Sequence, residues 1–314
     1  MYISDKIYGQ WEISEPVLRD LINSHAMQRL KGIAQFGPPE EFYHKKGFSR
    51  YEHSIGVFLL LRKLGATLEE QVAGLLHDAS HTAFSHVIDT VLGDPSIEDF
   101  QDKKHLERLL KSDIKQILEK YEIDIYRIAD FEKFGLLERN APDLCADRID
   151  YTLREIALSD VDLAKKLVDA LCIFHELIIF KNVVSAKQFA MIYLKLNKEH
   201  WTGFEAVSRY YQLAGILKKA LQKDIIKKDD LWKTDAEVIN KLIACNESEL
   251  MDKLNLMKEK TTSIRFGISH RKKFRYIDPH ILVDGSCLPL TQLDTEYGSM
   301  LKDEKKLSAE GITI

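Results

Sequence analysis

One stretch constrains this chain more than any other: Val72-Ala73-Gly74-Leu75-Leu76-His77-Asp78-Ala79-Ser80-His81-Thr82-Ala83-Phe84-Ser85-His86, an apolar run that ends in a His-Asp pair and two further histidines. Val72, Ala73, Leu75, Leu76 and Ala79 recur at helical spacing, so residues 68–79 read as a core helix whose last turn delivers polar side chains inward. A desolvated imidazole beside a carboxylate needs hydrogen bonds or a cation to offset lost hydration, and a metal ion satisfies both. A lone histidine here would read as an ordinary buried one near a helix end. Asp78, His81 and His86 stand with it and shift the weighing toward a site.

The rest of the chain reads as a helical frame. With 15 Gly and 7 Pro in 314 residues, a turn-rich β fold is disfavoured. Helices are expected over residues 17–33, ending at Gly37-Pro38-Pro39, and over 52–64 beyond an aromatic loop from Phe42 to Tyr51. Residues 80–86 form a loop, and 87–92 a short helix closed by Gly93-Asp94-Pro95. Residues 103–118 read as one helix and 126–137 as another, while Asn140-Ala141-Pro142-Asp143 is a start signal for a helix over 144–158. The pattern from 160 to 244 is mostly helical, including 190–199 and 203–223. Residues 264–268 and 274–279 look like two strands joined by a basic turn at His270-Arg271-Lys272-Lys273. The expected architecture is all-α: a core over 1–160, a helical C-terminal extension over 161–314 packed on it, and a small β-hairpin appendage near 261–290.

Composition excludes several classes. A net charge of −4 gives no global signature of nucleic-acid binding, and the run Arg271-Lys272-Lys273 with Arg275 reads as a solvated turn. Cys145, Cys172, Cys245 and Cys287 show no CxxC spacing, which fits reduced thiols better than a zinc knuckle. No basic leader precedes an apolar segment, and no run of about 18 apolar residues occurs, so a cytoplasmic protein without membrane contact is expected.

A transition-metal ion wants imidazole nitrogens and carboxylate oxygens from separate elements, with positions left open for water and substrate. The sequence offers His53 near the start of one helix, His77 and Asp78 at the end of the next, and Asp143, Asp147 and Asp150 near the start of a later one. Two His and two Asp would make four ligands, and spacing leaves the choice among the three later aspartates open. Asp143 also reads as a helix N-terminal charge, and Asp150 as a surface partner of Arg154 at i+4.

The segments Arg50-Tyr51-Glu52-His53-Ser54-Ile55-Gly56-Val57, His77 to His86, and Asp147-Arg148-Ile149-Asp150-Tyr151 resemble the HD-domain phosphohydrolase superfamily, most closely its deoxynucleoside triphosphate triphosphohydrolase branch. The likeness is good over residues 25–155. It implies His53, His77, Asp78 and Asp147 as ligands of one divalent metal: Mn, Fe, Co, Ni or Zn, with Mg also usable alongside substrate. It also implies that His81 faces the phosphates and that His105 protonates the leaving group, although the family's adjacent His-Glu is here His105-Leu106-Glu107. Arg50, Arg148 and Tyr151 would line the triphosphate and sugar, and Gln35 would touch the sugar and favour 2′-deoxyribose. Relatives place base-proximal residues near Tyr193 and His200.

The implied activity is metal-dependent hydrolysis of a nucleotide, releasing deoxynucleoside and tripolyphosphate, by an enzyme that forms homo-oligomers. The same site would also serve a nucleotidase, a cyclic-nucleotide phosphodiesterase or a nuclease, or a nucleotide-sensing module without turnover.

Overall fold

A computed structural model describes residues 1–259, 264–267, 269–270, 274–310 and 312–313. The chain opens with a hairpin, β1 (Tyr2–Asp5) and β2 (Gly9–Glu12), then α1 (Pro16–Asn23) and α2 (His25–Arg29). The helices that carry the motifs follow: α3 (Arg50–Lys63), α4 (Leu68–Leu76), α5 (Val87–Leu92), α6 (Phe100–Leu110), α7 (Asp113–Lys120), α8 (Ile125–Ile128) and α9 (Ala146–Ile156). Next come α10 (Val161–Asp169), the strands β3 (Leu171–Phe174) and β4 (Leu177–Phe180), α11 (Val183–Leu196), α12 (Phe204–Gln222), α13 (Asp235–Ala244) and α14 (Ser248–Met257). Strand β5 (Ser269–His270) pairs with β8 (Ile312–Thr313). Between them lie β6 (His280–Val283), β7 (Ser286–Pro289), α15 (Leu290–Leu293) and α16 (Thr295–Glu310). The architecture is helical with small sheets. No helix among the described residues is long and apolar enough to cross a membrane.

Helix α3 is the central rod. A capping box starts it: Ser49 Oγ accepts the Glu52 N–H, and Glu52 Oε2 accepts the Ser49 N–H. From His53 to Leu61 every residue is buried, so the helix is enclosed on all sides. Gly56 permits this. A Cβ there would stand 2.0 Å from Asp150 Oδ1 and 2.1 Å from Arg154 Nη2, so only glycine lets α9 approach this closely.

One apolar cluster runs from Ile7 through α3, α4 and α9 to Leu301. A second joins Phe42 and the Ala83–Ile88 segment to α12, α13 and α14. The functional cavity draws its walls from both regions.

Five sequence expectations shift. Residues 17–33 are two helices and a 3-10 turn at Leu30–Gly32, because Ser24 ends α1 and caps α2 by accepting the Met27 N–H. Residues 103–118 are two helices, because Ser112 caps α7 by accepting the Ile114 N–H. Residues 126–137 hold only the short α8 and a 3-10 turn at Phe131–Lys133. The region read as mostly helical contains the β3–β4 hairpin, turned by His175 and Glu176 in left-handed backbone (φ 45° and 63°). Residues 264–267 and 274–279 form no strand, while Ile268 and Arg271–Lys273 lie outside the described residues. The hairpin near the chain's end is instead β6–β7, turned at Asp284-Gly285 (φ 48° and 79°), and β6 also runs parallel to β4, giving a sheet ordered β3-β4-β6-β7. Phe274, Arg275 and Tyr276 line the cavity, which occupies them otherwise than in a ladder.

Candidate metal centre and substrate cavity

Three elements meet at the candidate centre. His53 comes from the first turns of α3, His77 caps the C-terminus of α4, and Asp147 sits in the first turn of α9. His53 Nε2 lies 2.8 Å from Asp147 Oδ1 and 3.2 Å from His77 Nε2, and His77 Nε2 lies 3.6 Å from Asp147 Oδ1. These three donors form a group able to hold a metal ion.

The opposite ring nitrogens show why. His53 Nδ1 is 2.7 Å from Asp150 Oδ2, and His77 Nδ1 is 2.7 Å from the Gly74 carbonyl. Both Nδ1 atoms therefore donate, which in the neutral rings leaves two Nε2 lone pairs facing each other and a carboxylate. Lone pairs converging in this way fit a cation, and the donor set suits one that accepts imidazole and carboxylate together.

Asp78 stands beside this trio, with Oδ1 3.6 Å from His77 Nε2 and Oδ2 3.8 Å from His53 Nε2. It also accepts from Arg50 Nη1 at 2.8 Å and contacts His81 Nε2 at 3.1 Å. Asp143 lies outside the cluster, half-buried near Arg139 and His280.

Asp150 departs from its surface reading. It pairs with Arg154 as the spacing suggested (2.8 Å), but it is fully buried and also accepts from Tyr8 Oη at 2.7 Å. Arg154 in turn reaches Asp5 at 2.8 Å. Thus the β1–β2 hairpin buttresses the carboxylate that orients His53. The i+4 spacing exposed the pair but gave no sign of its depth, which Gly56 alone could have hinted at.

Electrostatics follow from burial and charge together. Burial opposes protonation of His77, but the Asp78 and Asp147 carboxylates outweigh it and hold the imidazole up at about 9 without metal. Burial likewise works against ionised Asp147, yet hydrogen bonds from His53 and His77 hold its carboxyl well below the usual range. His81 goes the other way: burial and Arg50 push it down to about 3, so it is neutral near pH 7.

A cavity of about 340 Å3 opens beside the cluster, lined by His77, Asp78, Asp147 and His81 at one side. Gln35, Arg50, Arg148 and Tyr151 all line it as well. Gln35 Oε1 is buried without a hydrogen-bond partner. Tyr151 Oη bonds Tyr193 Oη at 2.7 Å, and Phe36, Tyr43, His200 and Trp201 complete an aromatic wall. His200 is fixed there by Tyr43 Oη at 2.9 Å and Glu155 at 2.7 Å.

His105 is not brought to this cavity. It is buried with its ring against Phe131 and its Nδ1 2.8 Å from Ser80 Oγ, and burial followed by the nearby His77 charge pushes it down to about 3. Its neighbours Gln101 and Phe131 line the cavity while the ring itself does not, and its Nε2 is buried without a partner.

Two residues unnoticed in the sequence hold the loops that carry the site. Asp235, at the start of α13, accepts the Ala34 N–H at 2.8 Å and the Phe84 N–H at 2.7 Å. Arg29 donates to the carbonyls of Ala79 (3.1 Å) and His81 (2.7 Å). Phe84 and Ser85 both take left-handed backbone (φ 64° and 47°), which such restraints make tenable.

Comparison with known proteins agrees with this geometry. Residues 50–171 match the HD domain model. The chain is 38% identical to protein YdhJ of Bacillus subtilis, covering 100% of this chain and 98% of that one. It is 32% identical to the metal-dependent phosphohydrolase cns2 of Cordyceps militaris, covering 91% and 86%. Likeness to the deoxynucleoside triphosphate triphosphohydrolase SAMHD1 of Bos taurus is partial, 34% over 102 residues, or 28% of this chain and 17% of that one. Among solved structures, a phosphohydrolase from Bacteroides thetaiotaomicron shares the fold at a TM-score of 0.67 and 17% identity, covering 96% of each chain. Motif, donor geometry and full-length likeness converge: this chain is a hydrolase and belongs to the HD-domain family of metal-dependent phosphohydrolases.

Proposed function

We propose that the substrate is a deoxynucleoside triphosphate, hydrolysed at the α-phosphorus to deoxynucleoside and tripolyphosphate. The observation that carries this reading is the joining, in one cavity, of a metal-donor cluster to arginines and an aromatic wall. That combination suits an anionic phosphate chain ending in a planar base. The partial likeness to a named triphosphohydrolase supports the same choice.

His53, His77, Asp78 and Asp147 would hold one divalent ion, and Mn, Fe, Co, Ni and Zn all suit this donor set. When bound, such an ion supplies Lewis acidity toward water and the phosphoryl group. The chain's own residues do the rest. Asp150 and the Gly74 carbonyl keep the two imidazoles in the tautomer with Nε2 free. Arg50 and Arg148 offset charge on the phosphoryl oxygens. His81 is neutral, and with its Nε2 engaged by Asp78 its Nδ1, which has no protein partner, is left as a hydrogen-bond acceptor facing the phosphates and their attacking water. His105, through Ser80, is a positioning residue for the 77–81 turn. Gln35 and Tyr151 contact the sugar, where the unpaired Gln35 Oε1 is an acceptor without a partner. Tyr193 and His200 stand toward the base. With it go the homo-oligomer that the family resemblance implies and the cytoplasmic location expected from unpaired cysteines.

The test is incubation with each dNTP and Mn2+, separating nucleoside from phosphate products. Deoxynucleoside with tripolyphosphate is the expected result. Turnover confined to monophosphates, cyclic nucleotides or polynucleotides would reassign the substrate, and binding without turnover would make the chain a sensor.

A further inference from the structure

Among the described residues three arginines line the cavity, and two have their donors engaged by the site's own frame. Arg148 donates to the main-chain carbonyls of Asp143 (2.6 Å) and Arg139 (3.1 Å). Arg50 donates to Asp78 (2.8 Å), Ser85 Oγ (3.0 Å) and the Gln35 carbonyl (3.4 Å). The third, Arg275, arrives from the far end of the chain on the 274–276 segment and pairs with Glu98, whose carboxylate also lines the cavity.

Both partners are placed with care. The Arg275 N–H donates to Asn197 Oδ1 at 3.2 Å, at the start of the π-turn (Asn197–Trp201) that sets His200 and Trp201 in the wall. Phe274 and Tyr276 stack on one another at 5.5 Å. Glu98 sits between α5 and α6 in left-handed backbone (φ 59°), a conformation that a glutamate rarely adopts unless its surroundings hold it. The cavity is otherwise rich in acid, with Asp102, Glu138 and Glu155 lining it beside the metal-side aspartates. A polyanion entering such a space meets repulsion unless cations answer it.

We propose that Arg275 is a substrate-binding residue whose guanidinium takes an anionic phosphate oxygen of the nucleotide, leaving Glu98 as it does so. This deepens the nucleotide reading above and rests on it. A phosphate oxygen can take the place of the carboxylate oxygen that Arg275 Nη2 now meets, and the guanidinium has further N–H groups to offer it, so the exchange needs no refolding of the 274–276 segment. Glu98 then acts as a stand-in for substrate. It holds Arg275 in place when the cavity has no nucleotide, and competes with phosphate for the same donors. Removing the arginine must weaken binding, while neutralising the glutamate must strengthen it.

That opposition of signs is the test. Binding of inorganic tripolyphosphate to the Mn2+-loaded full chain is measured by calorimetry, alongside KM and kcat for the best dNTP. Arg275→Gln is expected to weaken tripolyphosphate binding and raise KM by about tenfold or more. Glu98→Gln is expected to tighten binding and lower KM severalfold, and Arg275→Lys to fall between wild type and Arg275→Gln. Arg275→Lys also guards against a folding defect, since it retains the charge and its melting temperature is followed in parallel. Equal binding by wild type and Arg275→Gln, or a loss of affinity in both Arg275→Gln and Glu98→Gln, overturns the inference while leaving the nucleotide reading intact. A wild-type chain that binds neither tripolyphosphate nor any nucleotide overturns both.

Discussion

The two ends of the cavity are built differently. The candidate metal end is assembled from α3 and the two helices that pack against it, α4 and α9, and both imidazoles are fixed by a partner within that packing: Asp150 for His53, the Gly74 carbonyl for His77. The substrate end is assembled from segments distant in sequence. Tyr43 lies in a loop, His200 in a π-turn after α11, and Arg275 on a strap without secondary structure. On the proposed function, chemistry is lodged on packed helices and recognition on segments brought together from distant parts of the chain.

Breaking the metal end should cost most. Replacing both His77 and Asp78 with alanine removes donors that the remaining residues cannot replace, and turnover is expected to fall by at least about a thousandfold. A steady-state assay of the double variant checks this, and full activity would contradict the account.

A milder change sharpens the contrast. Asp150→Asn keeps the shape but releases the His53 tautomer and leaves Arg154 with one fewer charged partner. Metal affinity is expected to fall by about 10- to 100-fold, read by competition with a chelating dye. An equivalent polar change at the substrate end should leave metal affinity alone.

The third prediction concerns pH. In the metal-free chain His77 is held up at about 9, above its ordinary value near 6.5. A group raised on folding contributes stability that is fully present below the unfolded value and lost as pH rises through the folded one. The metal-free melting temperature should therefore decline between about pH 6.5 and 9. Metal binding displaces that proton, so affinity should rise over the same window, and the loaded protein should lose its decline. Melting curves with and without chelator check both signs.

The smallest expected effect lies at the far end. On the proposed function Gln35→Ala removes side-chain bulk beside the sugar and makes room for a 2′-hydroxyl, so a severalfold loss of preference for deoxyribose over ribose is expected, read as a ratio of kcat/KM values.

This contrast also explains what could be read in the sequence. His53, His77, Asp78 and Asp147 stand in motifs because each lies on or beside a regular helix, where spacing reports position. Asp150 was visible as an i+4 partner of Arg154, but its depth depends on Tyr8 and Asp5, some 140 residues earlier, and periodicity cannot report such contacts. The motif points to His105, while its contacts with Phe131 and Ser80, which no spacing reports, hold the ring outside the cavity lining. Local charge density groups Arg275 with a solvated turn, whereas its ion pair joins residues 177 apart in sequence. The hairpin near the end was expected one segment too early. The Asp284-Gly285 dipeptide between Val283 and Ser286 was the stronger turn signal.

The most direct test of the central claim is divalent-metal stoichiometry, measured by elemental analysis after chelation and reloading of the wild-type chain and of Asp147→Asn. The account predicts one ion per wild-type chain and its loss, or a large fall in affinity, in the variant. A folded wild-type chain that binds none, or a variant that holds its ion as tightly as the wild type, would contradict it.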